Sequence, residues 1–168
     1  SKAFQIIERF SEDIDLAVLT EGMSNNQVQK LIRNIGKEIT VDVREVTLEG
    51  VTSKGSKFRK TVHEYDKVTE DMDYGQATDK VLVELNSFTT PNPHSPQIVN
   101  SYIGNFLESI DRLDLVKKYE LEAFSVFVLD IKRTLVEKVL GLIRASYKSI
   151  DELKNKIRHI YDIERILE

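Results

Sequence analysis

Apolar residues recur at two spacings along this chain, and the places where one spacing gives way to the other predict its elements. In "RFSEDIDLAV", Ile14, Leu16, Ala17 and Val18 read as a short buried strand within 13–19, preceded by the end of a helix over 1–8. "SNNQVQKLIRNIGKEI" then sets Val28, Leu31, Ile32 and Ile35 at helical spacing behind a Ser24 cap. "REVTLEG" and "SKGSKFRKTVHEY" predict two strands around a Gly/Ser/Lys turn near Gly55. A strongly apolar strand runs from Val81 to Phe88, and the proline-rich "TTPNPHSPQ" predicts a loop. "IVNSYIGNFLESI" predicts a helix. "EAFSVFVLD", apolar on both faces, predicts a strand inside the sheet rather than at its edge. Two helices, 131–147 and 151–167, finish the chain. Mixed strands followed by closing helices predict an α/β or α+β fold, with a sheet core over 1–130 and a C-terminal helical part over 131–168.

Composition narrows this only a little. With 168 residues, 40 % of them hydrophobic, the chain can bury a core and is not disordered. It has no cysteine, so neither disulfides nor a thiolate metal site holds the fold, which fits a reducing cytoplasm. No apolar run reaches membrane-spanning length, and there is no signal-peptide pattern. The start at "SKAF", without methionine, predicts a missing upstream piece. A net charge of −4 argues against a generally basic nucleic-acid binder. The charge is uneven, however: residues 131–168 carry +3 and residues 1–130 carry −7. An acidic part and a mildly basic part could meet on one phosphate-bearing ligand.

Several charges sit against the local pattern. Alternate residues of a strand share a face, so Asp13 and Asp15 point one way while Ile14 and Leu16 point the other. Two carboxylates about 6 Å apart repel by about 3 kcal/mol at an effective dielectric of about 20. Water screening, a shared proton or a bound cation relieves that repulsion. Oxygen ligands of this kind suit Mg²⁺. The blander alternative makes "SED" a polar turn from which only Asp15 enters the strand. Glu84, alone in an apolar strand, needs a partner. It either faces solvent at a sheet end or joins the two aspartates as a third ligand.

In "KRTLVEKVLGLIRASY", Leu135, Val136, Val139, Leu140, Leu142 and Ile143 form a wide apolar arc. Beside it run Thr134, Lys138, Gly141 and Ala145, a lysine among small residues. The strip either admits a ligand beside the ammonium or packs against another helix while Lys138 snorkels to water. In "KIRHIYDIERIL", the pattern buries Ile157, Ile160, Tyr161, Ile163 and Leu167 and sets Arg158, Asp162 and Arg165 opposite, with Arg158–Asp162 as a surface pair. His63, His94 and His159 match no zinc spacing and read as structural.

Taken in order, "IIERFSEDIDLAV", "VLVELNSF", "RTLVEKVLGLIR" and "KIRHIYDIERIL" resemble the AbiEii/AbiGii-type nucleotidyltransferase toxins, within the DNA polymerase β-like nucleotidyltransferases. The resemblance spans nearly the whole chain. It implies a small mixed sheet carrying the carboxylates, with helices closing over a nucleoside triphosphate. It further implies Mg²⁺ or Mn²⁺ on the DxD residues Asp13 and Asp15, with Glu84 as the third metal-binding acid. Lys138 of "TLxEK" is expected at the triphosphate. Asp162 is expected as a catalytic or orienting group, with Arg158 beside it at the nucleotide. The implied activity is transfer of a nucleotide from an NTP to an acceptor such as a tRNA end, by a cytoplasmic toxin with a cognate antitoxin and no membrane partner.

The family's phosphate-cradling Gly-Gly-Ser/Thr element, expected just before "SKAF", is absent. That leaves open an inactive fragment of an active protein, or a non-catalytic nucleotide-binding or interaction domain. A DxD-dependent glycosyltransferase is the remaining alternative.

Overall fold

The computed structural model describes residues 2–9, 11, 13–66 and 80–168. It is a mixed α+β fold, as the periodicity predicts, and it forms two compact units: residues 9–91, and residues 1–8 with 92–168.

In the 9–91 unit, strand β1 (Asp13–Ala17) is followed by helix α1 (Asn25–Glu38). Strands β2 (Arg44–Val46), β3 (Ser53–Lys54), β4 (Phe58–Glu64) and β5 (Lys80–Asn86) complete the sheet. The order is β1-β5-β4-β2, with β3 also on β4. β1 runs parallel to β5, and β5 antiparallel to β4. Both aspartates therefore lie in the strand, which excludes the reading that only Asp15 enters it. The strand itself is not buried as expected, because it ends the sheet and even Ile14 is half-exposed.

The first of the two strands expected around Gly55 is split into β2 and β3. A turn at Leu48–Thr52 interrupts it, with Gly50 at a φ of 75° that L side chains rarely adopt.

Helix α1 forms where its pattern says. The Ser24 backbone N–H donates to Gln27 Oε1 at 2.8 Å and the Ser24 hydroxyl accepts from the Gln27 N–H, a capping box that satisfies two orphan donors. Its buried Val28 and Ile32 pack on Val18, Val83 and Leu85, one face of the sheet. A Cβ at Gly36 would lie 3.2 Å from Leu85 Cδ1, so glycine lets the helix approach the strand closely. With that face committed to the core, the alternate residues of β1 and β5 are left on the other.

His63, read as structural, is fully buried, with Nε2 at 2.9 Å from Thr61 Oγ1. Burial holds its pKa below the usual 6.5; cross-strand Glu45 opposes that shift and Lys54 adds to it. The folded state therefore favours neutral imidazole. The contribution is fully present above about pH 6.5 and is lost as pH falls through the folded-state pKa. Urea unfolding of the 9–91 unit should show stability dropping between pH 7.5 and 5.5, and His63→Gln should flatten that slope. An equal slope in both proteins would contradict the assignment.

In the second unit a short 3-10 turn (Lys2–Phe4) stands where the end of a helix was expected. Strand β6 (His94–Val99) pairs antiparallel with β7 (Phe124–Leu129) as a two-stranded ribbon. The helices are α2 (Tyr102–Ser109), α3 (Leu113–Lys118), α4 (Ile131–Ser146), α5 (Ile150–Lys154) and α6 (Ile157–Leu167). Three expectations change here. The proline-rich stretch is partly a strand: Pro96 stands opposite Phe127 in a ribbon whose strands are both edges, where a missing N–H is tolerated. The helix after it starts only at Tyr102, capped by Ser101, whose hydroxyl accepts from the Gly104 N–H at 2.8 Å. β7 is not inside the main sheet, and Phe124 and Phe127 on its two faces are exposed.

The burial of the last helix is inverted relative to its apolar pattern. Ile157, Ile160 and Leu167 are exposed, while Asp162 is buried and Arg158 and Arg165 are half-buried. The outer side of α4 likewise carries the exposed Val136, Val139, Leu140 and Ile143. Its inner side is the strip of small residues with Lys138.

Candidate active site

The strand register gathers the anomalous acids on one face of the 9–91 sheet. Asp15 is the parallel partner of Glu84, and Asp13 lies two residues before it on the same face. On the other side of Glu84, its antiparallel partner is Lys60. Lys60 Nζ reaches Glu84 Oε1 at 2.5 Å, and both side chains are about three-quarters buried. The lone carboxylate of the apolar strand thus finds a cation on the neighbouring strand, a partner set by register and invisible in local sequence. Asp13 and Asp15 are solvent-exposed at the sheet's end strand. Among the described residues no group of three or more His, Asp or Glu is gathered closely enough to hold an ion. The two aspartates still fit a hard divalent cation. Mg²⁺ takes one or two protein carboxylates and fills its remaining positions with water and substrate phosphate.

The second unit brings together two further residues singled out by sequence, Lys138 and Asp162. Asp130 caps α4, its carboxylate accepting from the Lys132 N–H at 2.8 Å, and the Thr134 hydroxyl donates back to the Asp130 carbonyl at 3.1 Å. The strip of small residues then packs on α6: Ala145 is buried, and a Cβ on Gly141 would lie 3.3 Å from His159 Cδ2. Gly141 is therefore explained by helix packing, and His159 is structural at that contact. This close approach lets Lys138 Nζ donate to Asp162 Oδ2 at 2.7 Å, with Lys138's side chain 17 % and Asp162's 1 % exposed. Asp162 is buried rather than on the surface as the pattern suggested, and Arg158 lies one turn before it and is half-buried.

Helix α6 also fixes the segment that leads toward β1. Arg165 Nε donates to the Ile6 carbonyl at 3.1 Å, and Tyr161 OH accepts from the Glu8 N–H at 3.1 Å. Tyr102 OH adds a 3.3 Å bond to the Ile7 carbonyl. Sequence reading missed these three roles. Their only trace is a tyrosine and an arginine at i and i+4, which also describes many solvated helices.

Measured against known families, the chain matches over residues 1–168 the family described as "Nucleotidyl transferase AbiEii toxin, Type IV TA system". No curated protein and no solved structure matches it.

Proposed function

Because the chain belongs to the AbiEii family of nucleotidyltransferase toxins from type IV toxin–antitoxin systems, we propose that it transfers a nucleotide from an NTP to an RNA acceptor such as a tRNA end. The reaction is divalent-cation-dependent, takes place in the cytoplasm and centres on Asp13 and Asp15. Membership also implies an antitoxin as partner, and no helix among the described residues is long and apolar enough to cross a membrane.

The observation that carries this reading is the placement of Asp13 and Asp15, side by side on an exposed strand face with Glu84 as the neighbour of Asp15. Asp13 and Asp15 would hold Mg²⁺ or Mn²⁺, which supplies charge neutralisation at the triphosphate and acidifies an acceptor hydroxyl. Glu84 stands beside Asp15 as a further carboxylate, its charge balanced by Lys60. The acceptor oxygen forms a bond to the α-phosphorus as the bond to the pyrophosphate oxygen breaks. In this reading Lys138, its ammonium oriented by the 2.7 Å bond that Asp162 accepts, and Arg158, one turn before Asp162, are phosphate-binding cations of the second unit.

The test is incubation of the purified chain with each α-labelled NTP and total RNA, with and without Mg²⁺. Label should enter RNA from one or a subset of the NTPs, and EDTA should abolish it. Tight NTP binding without transfer would favour a nucleotide-binding domain instead.

A further inference from the structure

Ile157, Ile160, Glu164 and Leu167 follow one another on α6 at alternating spacings of three and four residues, the pattern of a seam between two helices. The stripe is exposed, with Ile157 at 59 %, Ile160 at 50 % and Leu167 at 69 %. Its two halves differ in shape. The N-terminal half presents the two isoleucines, while a shallow groove of about 630 Å³ lies on the C-terminal half, lined by Ile160, Ile163, Glu164, Leu167 and Glu168. The halves also differ in charge. Lys154 and Lys156 stand at the N-terminal end, and Glu164 and Glu168 at the C-terminal end.

We propose that the outer stripe of α6 is an interaction surface for a second copy of this chain, the two helices packing antiparallel about a two-fold axis near the middle of the stripe. Such an axis sets Ile157 of one copy beside Leu167 of the other, so the isoleucines of each helix enter the groove of its partner. The same rotation brings each lysine end against a glutamate end. A parallel pair would instead set like charges together and leave the grooves facing each other. Glu164, at the level of Ile160 of the other copy, is a single polar residue in the seam, which fixes register at a cost in stability. Three turns of helix bury less than the ~1,200 Å² of a standard interface, so the dimer is weak and concentration-dependent. Asp162 lies on the buried side of the helix and is not part of this surface.

The test is sedimentation equilibrium of the whole chain over a range of concentrations. The average mass should rise with concentration toward that of two chains. Ile160→Asp should weaken association at least about tenfold, as expected when one isoleucine per copy no longer enters an apolar seam. Its melting temperature should stay close to that of the wild type, because the position is exposed. Lys154→Glu with Lys156→Glu should also weaken the dimer, and adding Glu164→Lys with Glu168→Lys should restore it. The chain has no cysteine, so Ile157→Cys and Leu167→Cys each introduce a single thiol. Mixed and oxidised, these two variants should cross-link to each other in preference to themselves.

A monomer at every concentration, or a dimer indifferent to Ile160→Asp, overturns the proposal. Ile157→Cys chains joined mainly to one another overturn it as well, since that link requires parallel helices.

Discussion

Lys138→Met is expected to destabilise the protein by about 1.5–3 kcal/mol, the contribution of a hydrogen bond between charged groups. Asp162 is 1 % exposed, and Lys138 Nζ bonds its Oδ2 at 2.7 Å between α4 and α6. Methionine fills the volume of the lysine stem, so lost packing contributes little and the lost charged hydrogen bond dominates. Adding Asp162→Leu should recover most of the loss, because replacing a buried pair by apolar residues is often neutral or stabilising. Denaturant unfolding of the single and double variants measures this directly. A single variant within about 0.5 kcal/mol of wild type would show that the pair contributes no more than a surface contact. The double variant also separates fold from function: correctly folded but without the ammonium, it should transfer nucleotide roughly tenfold or more slowly, as loss of a charged hydrogen bond predicts. Full activity there would make Lys138 purely structural.

The opposite profile is expected at β1. Asp13→Asn and Asp15→Asn should each lower transfer activity at least about a hundredfold, by analogy with the loss of one charged group that stabilises a transition state. Stability should change by much less than activity, since both side chains are exposed. Circular dichroism and melting of each variant beside its activity check the split. An activity loss matched by an equal loss of folded protein would instead make the aspartates structural.

These contrasting profiles reflect what local sequence can and cannot carry. The pairing of Asp13 with Asp15 on one face follows from a period of two, and α1 follows from the Ser24 capping box and four apolar residues at helical spacing. Such features are encoded within a few residues, so they are legible. The partner of Glu84 is not, because Lys60 meets it only through the β4–β5 register. Nor is the buried face of α6. Its isoleucines have the stronger apolar periodicity, yet the helix turns Asp162 inward, where the ammonium of Lys138, 24 residues earlier, meets it. The strand at His94–Val99 hid behind Pro96, because the pairing that tolerates it lies with Phe127 in a distant segment.

A divalent cation on the β1 acid face would direct iron-dependent cleavage to that strand, which locates the ion without relying on turnover. With Fe²⁺ in place of Mg²⁺, ascorbate and peroxide generate hydroxyl radicals at the bound ion, which cut the backbone nearby. Cuts are expected within residues 13–17 and around Glu84, suppressed by excess Mg²⁺ and absent in Asp13→Asn with Asp15→Asn. Cleavage elsewhere in the chain, or cuts at β1 that persist in the double variant, would contradict a cation bound at this face.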